Sequence, residues 1–262
     1  MKNLRTRSPI SHALAWIVLL IVLVGIGDTA SAAMGRDNAV TAPILVVLSV
    51  VLLLYVKANG WLGYYGLRAP RSADHRATLY FLPLLLMVLL QVPKGFDHRL
   101  DGLDIALVAV LMLCVGFLEE LIFRGFLYQA IREQSGVRRA IVISGVTFGI
   151  GHVVNLARGY TGEQQLLQIV VAVAIGLVLA LLVALTGSIM PGVVFHILLN
   201  ISGDLTTMDL QQELYVSAAV HVVCLGYGAH LARQLRCQGP AGTQAVPPAE
   251  AQRSGSGVRR DT

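Results

Sequence analysis

Apolar runs about 20 residues long, separated by short polar and charged stretches, recur along almost the whole chain. A run of that length crosses the hydrocarbon region of a bilayer as a helix. On that scale the pattern predicts eight segments, 11–33, 39–58, 77–95, 102–124, 138–158, 165–186, 188–202 and 212–235. The seventh is short and carries Pro191-Gly192 near its start, which predicts a broken or tilted helix lining a cavity rather than one facing lipid. The expected fold is all-α: a polytopic transmembrane bundle of about eight helices around a polar intramembrane cavity. No internal repeat is visible. Residues 1–76 read as N-terminal transmembrane helices and 77–236 as a membrane core. Residues 237–262, basic and rich in Pro, Gly and Ser, read as a disordered tail.

Composition agrees with the pattern. Of the 262 residues, 55% are hydrophobic and 13% charged, about half the charged fraction of a soluble protein. The net charge of +5 points to membrane topology rather than to nucleic acid. All Lys and Arg except Arg36, Lys94, Arg99 and Arg158 fall at the segment ends on one side, and the positive-inside rule makes that side cytoplasmic. Both termini are then expected in the cytoplasm of what reads, from its compact loops, as a prokaryotic cell. Lys2, Arg5 and Arg7 before the apolar run, with Ala30-Ser31-Ala32 after it, also resemble a cleavable signal; an uncleaved anchor is the expectation. Cys114, Cys224 and Cys237 are too dispersed for a disulfide framework. No nucleic-acid partner is expected, and nothing fixes the oligomeric state.

Against this apolar background Glu119 and Glu120 stand side by side inside a span. Carboxylates in the hydrocarbon region are costly, so they mark a functional site by default. On a helix Glu120 and Arg124 lie at i and i+4 in the favourable order for an ion pair, with Arg124 near enough to the cytoplasmic end to snorkel. Glu119 points about 100° away and lacks a partner on its own segment. The turn at Gln134-Ser135-Gly136 would fold the next span back antiparallel, bringing His152 to the depth of Glu119, with Phe148 one turn from His152 and packed beside it. His196 and Asn200, also at i and i+4, share a face of the seventh segment.

Glu119, His152, His196 and Asn200 can therefore converge, and such a set suits hydrolysis. A carboxylate takes a proton from water, while imidazole and amide donors stabilise the oxyanion formed when water attacks a carbonyl. Two imidazoles and a carboxylate, Glu119, His152 and His196, could instead hold zinc with an open position for water. No cofactor is expected, and zinc remains an alternative. His12, His75, His98, His221 and His230 receive no role, and Asn155 reads as a helix-end polar residue. A cavity open to the inner leaflet is expected to bring water to Glu119. Two other functions fit a polar cluster: a non-catalytic membrane scaffold or regulatory partner, and a proton-coupled transporter, though the paired half-helices of such carriers are missing.

The motifs Glu119-Glu120-x-x-x-Arg124, Phe148-x-x-x-His152 and His196-x-x-x-Asn200 resemble those of the CAAX-protease and bacteriocin-processing (CPBP) intramembrane endopeptidases. The resemblance covers roughly residues 80–205. It implies that Glu119 activates water, His152 holds that water, and His196 with Asn200 stabilises the oxyanion. Glu120 and Arg124 would have a supporting or substrate-orienting part, in a metal-independent glutamate mechanism. The implied partner is a membrane-associated protein or peptide substrate held in the bilayer.

Overall fold

The computed structural model describes residues 1–70, 81–91, 95–158, 161–207 and 209–239. Among them the chain is helical apart from turns and one isolated bridge between Phe96 and Thr206, as the hydrophobic pattern predicts. The helices are α1 (Lys2–Arg7), α2 (Pro9–Ala33), α3 (Thr41–Ala58), α4 (Leu82–Leu89) and α5 (Gly102–Glu119). α5 runs without a break through a π-helical stretch, Glu120–Leu127, into α6 (Tyr128–Ser135). Then come α7 (Val137–Gly151), a 3-10 segment (His152–Arg158), α8 (Gly162–Thr186), α9 (Met190–Asp204) and α10 (Leu210–Gln238). Six stretches among the described residues are long and apolar enough to cross a membrane. The protein is thus an integral, multi-pass membrane protein. Segment 77–95 is described only in part, and His75 and the tail 240–262 lie outside the described residues.

Local chemistry sets the helix ends. Asp101, Thr161 and Asp209 each close a reciprocal capping box at the starts of α5, α8 and α10, satisfying backbone N–H groups that the first turn leaves open. Gly187 ends α8 in the left-handed region at φ 64°, where a side chain would be strained.

The described turns alternate between two faces of the bundle. On the near face the Arg5 Nε donates to the Tyr65 hydroxyl at 2.5 Å, and Tyr64 donates to Glu133 at 2.6 Å. There too Arg68 donates to the Gly187 carbonyl at 3.1 Å. On the far face Arg36 pairs with both Asp101 and Asp104 at 2.9 Å. The hydrogen-bonded Arg36 guanidinium holds the Asp101 carboxyl well below the usual carboxylate range.

Two close approaches build the core. α7 and α8 meet through Gly145, Gly149 and Gly176; a Cβ at Gly145 would fall 2.9 Å from the Leu177 backbone nitrogen, so the small residues let the two backbones touch. Gly116 of α5 similarly faces Ile197 of α9. α9 has only 15 residues, or about 22 Å of rise. That is short of the hydrocarbon thickness, in keeping with the expected cavity-lining helix.

Candidate active site

The last residue of α5 and the first of the π-helical stretch form the acidic pair. A π-helical stretch is uncommon and is often found at functional sites, because its wider turn re-aims the side chains it carries. Here all of its residues are buried. Glu120 Oε1 lies 3.0 Å from Arg124 Nη1, and both side chains are fully buried. The snorkelling expected of Arg124 is therefore not observed. Its guanidinium stays inside, 4.0 Å over the Phe148 ring, because Glu120 and the ring face offer it a counter-charge and a cation–π contact. The basic count on the near face loses one residue accordingly.

Phe148 is the hub of the cluster. Its ring makes edge contacts with His152 (centroids 4.9 Å), His196 (5.5 Å) and Phe123 (5.4 Å), so the expected packing of Phe148 beside His152 is present. His152 Nδ1 is 3.1 Å from the Phe148 carbonyl. A carbonyl can only accept, so Nδ1 carries the proton and a neutral ring keeps its Nε2 lone pair.

His196 stands between the two glutamates. Its Nε2 is 3.3 Å from Glu119 Oε2 and its Nδ1 is 3.3 Å from Glu120 Oε1. His196 from α9 thus comes within 3.3 Å of Glu119, while His152 shares the cavity with it. The hairpin argument fixes depth and leaves rotation about the helix axis open, and rotation selects the neighbour. The Glu119 contact is not aligned as a hydrogen bond, and Glu119 Oε2 is buried without a hydrogen-bond partner among the described residues.

Glu119, His152 and Asn200 line one cavity of about 170 Å³. Ile17, Leu20, Ile21 and Val24 of α2 form an apolar wall, and Asn155, Gln168 and Asp204 lie at its polar end. His196 reaches it through Glu119. The cavity runs from mid-bundle toward the far face, since His152, Asn155, Gln168 and Asp204 sit at the far ends of their elements. An opening toward the near face, which the basic residues assign to the cytoplasm, was expected; the lining residues instead extend toward the far face. Among the described residues no three His, Cys, Asp or Glu side chains are grouped as a metal site. No step below passes through a metal.

Several contributors went unnoticed in the sequence. Gln165 Nε2 donates to the His152 carbonyl at 2.9 Å, and Gln168 Oε1 accepts from Asn155 Nδ2 at 3.0 Å. Two glutamines three apart at the start of an apolar span were the available signal. Gly192 lets α9 approach Glu120: a Cβ there would lie 2.7 Å from Glu120 Oε2. Gly192→Ala is expected to cost about 1–3 kcal/mol of stability and to lower activity by shifting Glu120 away from His196. Gly203→Ala on the same helix meets nothing within 4 Å and should be tolerated. Thermal unfolding of both variants in detergent checks this; equal midpoints would refute the steric argument.

Residues 101–202 match the family model of type II CAAX prenyl endopeptidase Rce1-like proteins. The matched range contains all three motifs and bears out the resemblance read from them. No curated protein and no solved structure matches the chain. Over these residues the chain is thus similar to the type II CAAX prenyl endopeptidases.

Proposed function

We propose that this chain, Rce1-like over residues 101–202, hydrolyses a peptide bond of a membrane-associated protein or peptide with water activated by Glu119. The observation that carries the reading is the buried Glu119 Oε2, which has no hydrogen-bond partner among the described residues, in a cavity shared with His152 and Asn200. Water held between Glu119 and the His152 Nε2 lone pair gives a proton to Glu119 while its oxygen bonds to the scissile carbonyl carbon. Once protonated, Glu119 holds His196 less strongly. Carboxylate oxygens face both ring nitrogens, so His196 acts as a donor from each, and its Nε2–H can then turn to the oxyanion together with the Asn200 amide. Collapse of the intermediate breaks the C–N bond, and Glu119 returns its proton to the leaving amine. Glu120 and Arg124 have a positioning part: they hold His196 from its Nδ1 side.

If the basic near face is cytoplasmic, the cavity faces the outer half of the membrane, and the bond cut lies there. Peptide termini in membranes of cells carrying the native chain or Glu119→Gln at matched expression test the reading by mass spectrometry. Termini seen only with the native chain are expected. Identical termini would overturn it in favour of a non-catalytic scaffold.

A further inference from the structure

The cavity has a polar end that the hydrolytic steps do not use. Asn155, in the 3-10 segment after α7, and Gln168, on α8, both line it and are bonded to each other through Asn155 Nδ2 and Gln168 Oε1 at 3.0 Å. A primary amide has one acceptor oxygen and two donor hydrogens. Their mutual bond uses one donor and one acceptor. Asn155 Oδ1 and Gln168 Nε2 then remain as an acceptor and a donor with no partner among the described residues. Reversing both amides would leave the same complement, so the conclusion does not depend on which way each is turned.

An acceptor beside a donor is the complement of a peptide backbone, which offers N–H and C=O and nothing that varies with sequence. A helical substrate keeps both groups for itself, whereas an unwound segment presents them. Across the same cavity stands the apolar wall of α2, with Leu20 buried and Ile21 exposed at 39% to the surroundings of the bundle. Successive side chains of an extended strand point to opposite faces, so a segment bonded along one edge can still turn a side chain to α2. The cavity of about 170 Å³ is comparable to an apolar cavity of roughly 150 Å³ that admits benzene. It therefore has room for one apolar side chain of that size.

We infer that the Asn155–Gln168 amide pair is a substrate-backbone subsite, which takes an extended, locally unwound segment of a membrane peptide and seats one apolar side chain against α2. The inference rests on the proposed peptidase reading for its ligand, but its test reads binding rather than turnover. Asn155, given no role from the sequence, is here a binding residue.

The probe is a fluorescent 24-residue oligo-Leu/Ala peptide (roughly the length of a span) with a central Gly-Ser-Gly, titrated onto full-length Glu119→Gln protein in nanodiscs. A second probe has the central amides replaced by esters, removing N–H donors at nearly constant shape. One hydrogen bond corresponds to about a tenfold change in Kd. Asn155→Leu and Gln168→Leu are each expected to weaken binding of the amide peptide about tenfold without moving the unfolding midpoint. The ester is expected to bind about tenfold more weakly than the amide to Glu119→Gln protein, and no more weakly than the amide once Asn155 is Leu. An ester penalty that persists in Asn155→Leu, or no binding of the amide peptide, overturns the subsite. A purely structural role for the pair would shift the midpoint and leave the ester penalty in place. Ester-sensitive binding combined with unchanged termini in the Glu119→Gln cells would refute the peptidase reading and leave the subsite standing.

Discussion

Glu119→Gln is expected to reduce turnover of a cleaved substrate by roughly 10²–10⁴-fold, the usual contribution of a positioned general base, at an unchanged unfolding midpoint. The amide matches the carboxylate in shape and fills the same place, 3.3 Å from His196 Nε2. What is lost is the capacity to take a proton from water and return it to the leaving amine. Glu119→Asp keeps that capacity but withdraws the carboxylate by one methylene, so it should fall between the two. Initial rates with a substrate identified from its new termini, measured beside thermal unfolding, separate chemistry from folding. Native-like turnover by Glu119→Gln would remove Glu119 from the reaction.

Arg124→Leu is expected to be the most destabilising single change, at about 3–5 kcal/mol. Arg124 and Glu120 are both fully buried at 3.0 Å, so deleting the cation leaves a carboxylate without solvent and with only His196 Nδ1, at 3.3 Å, beside it. The Phe148 ring also loses the guanidinium 4.0 Å above it. Buried ion pairs replaced as a unit by apolar groups are often neutral in stability. The double variant Glu120→Leu with Arg124→Leu should therefore recover much of the loss. It should not recover activity, because His196 Nδ1 has then lost the oxygen 3.3 Å away that orients its ring. Unfolding midpoints and turnover of the two singles and the double test this. If Arg124→Leu unfolds like the native chain, the pair is not sealed from water.

The contrast between Glu120 and Glu119 marks how far the sequence could be read. The Glu120–Arg124 pair was legible because i and i+4 are neighbours on any helix, and the 3.0 Å contact survives the π-helical turn. Glu119 was assigned the right depth and the right set of neighbours, but not which of them comes closest. Depth follows from counting residues away from a turn, but the azimuth of a side chain depends on how three helices pack. That packing is set by close contacts such as Gly116 against Ile197 and Gly192 against Glu120, which no local pattern reveals. Asn155 was read as a helix-end polar residue and stands in the 3-10 segment that follows α7; its place in the cavity was not legible, because an α-helical count does not describe that turn.

By itself the sequence determined that the protein is a multi-span helical membrane protein, where most spans lie, and which three motifs are the candidates for its chemistry. Those properties depend on hydrophobic run length and helical spacing, both local along the chain. Only the tertiary structure decided that His196 bridges the two glutamates, that Arg124 is sealed beneath Phe148, and that α2, outside the matched residues 101–202, walls the cavity. It alone turned the cavity toward the far face. Each of these depends on contacts between segments distant in sequence, whose relative rotation is fixed when their side chains pack together.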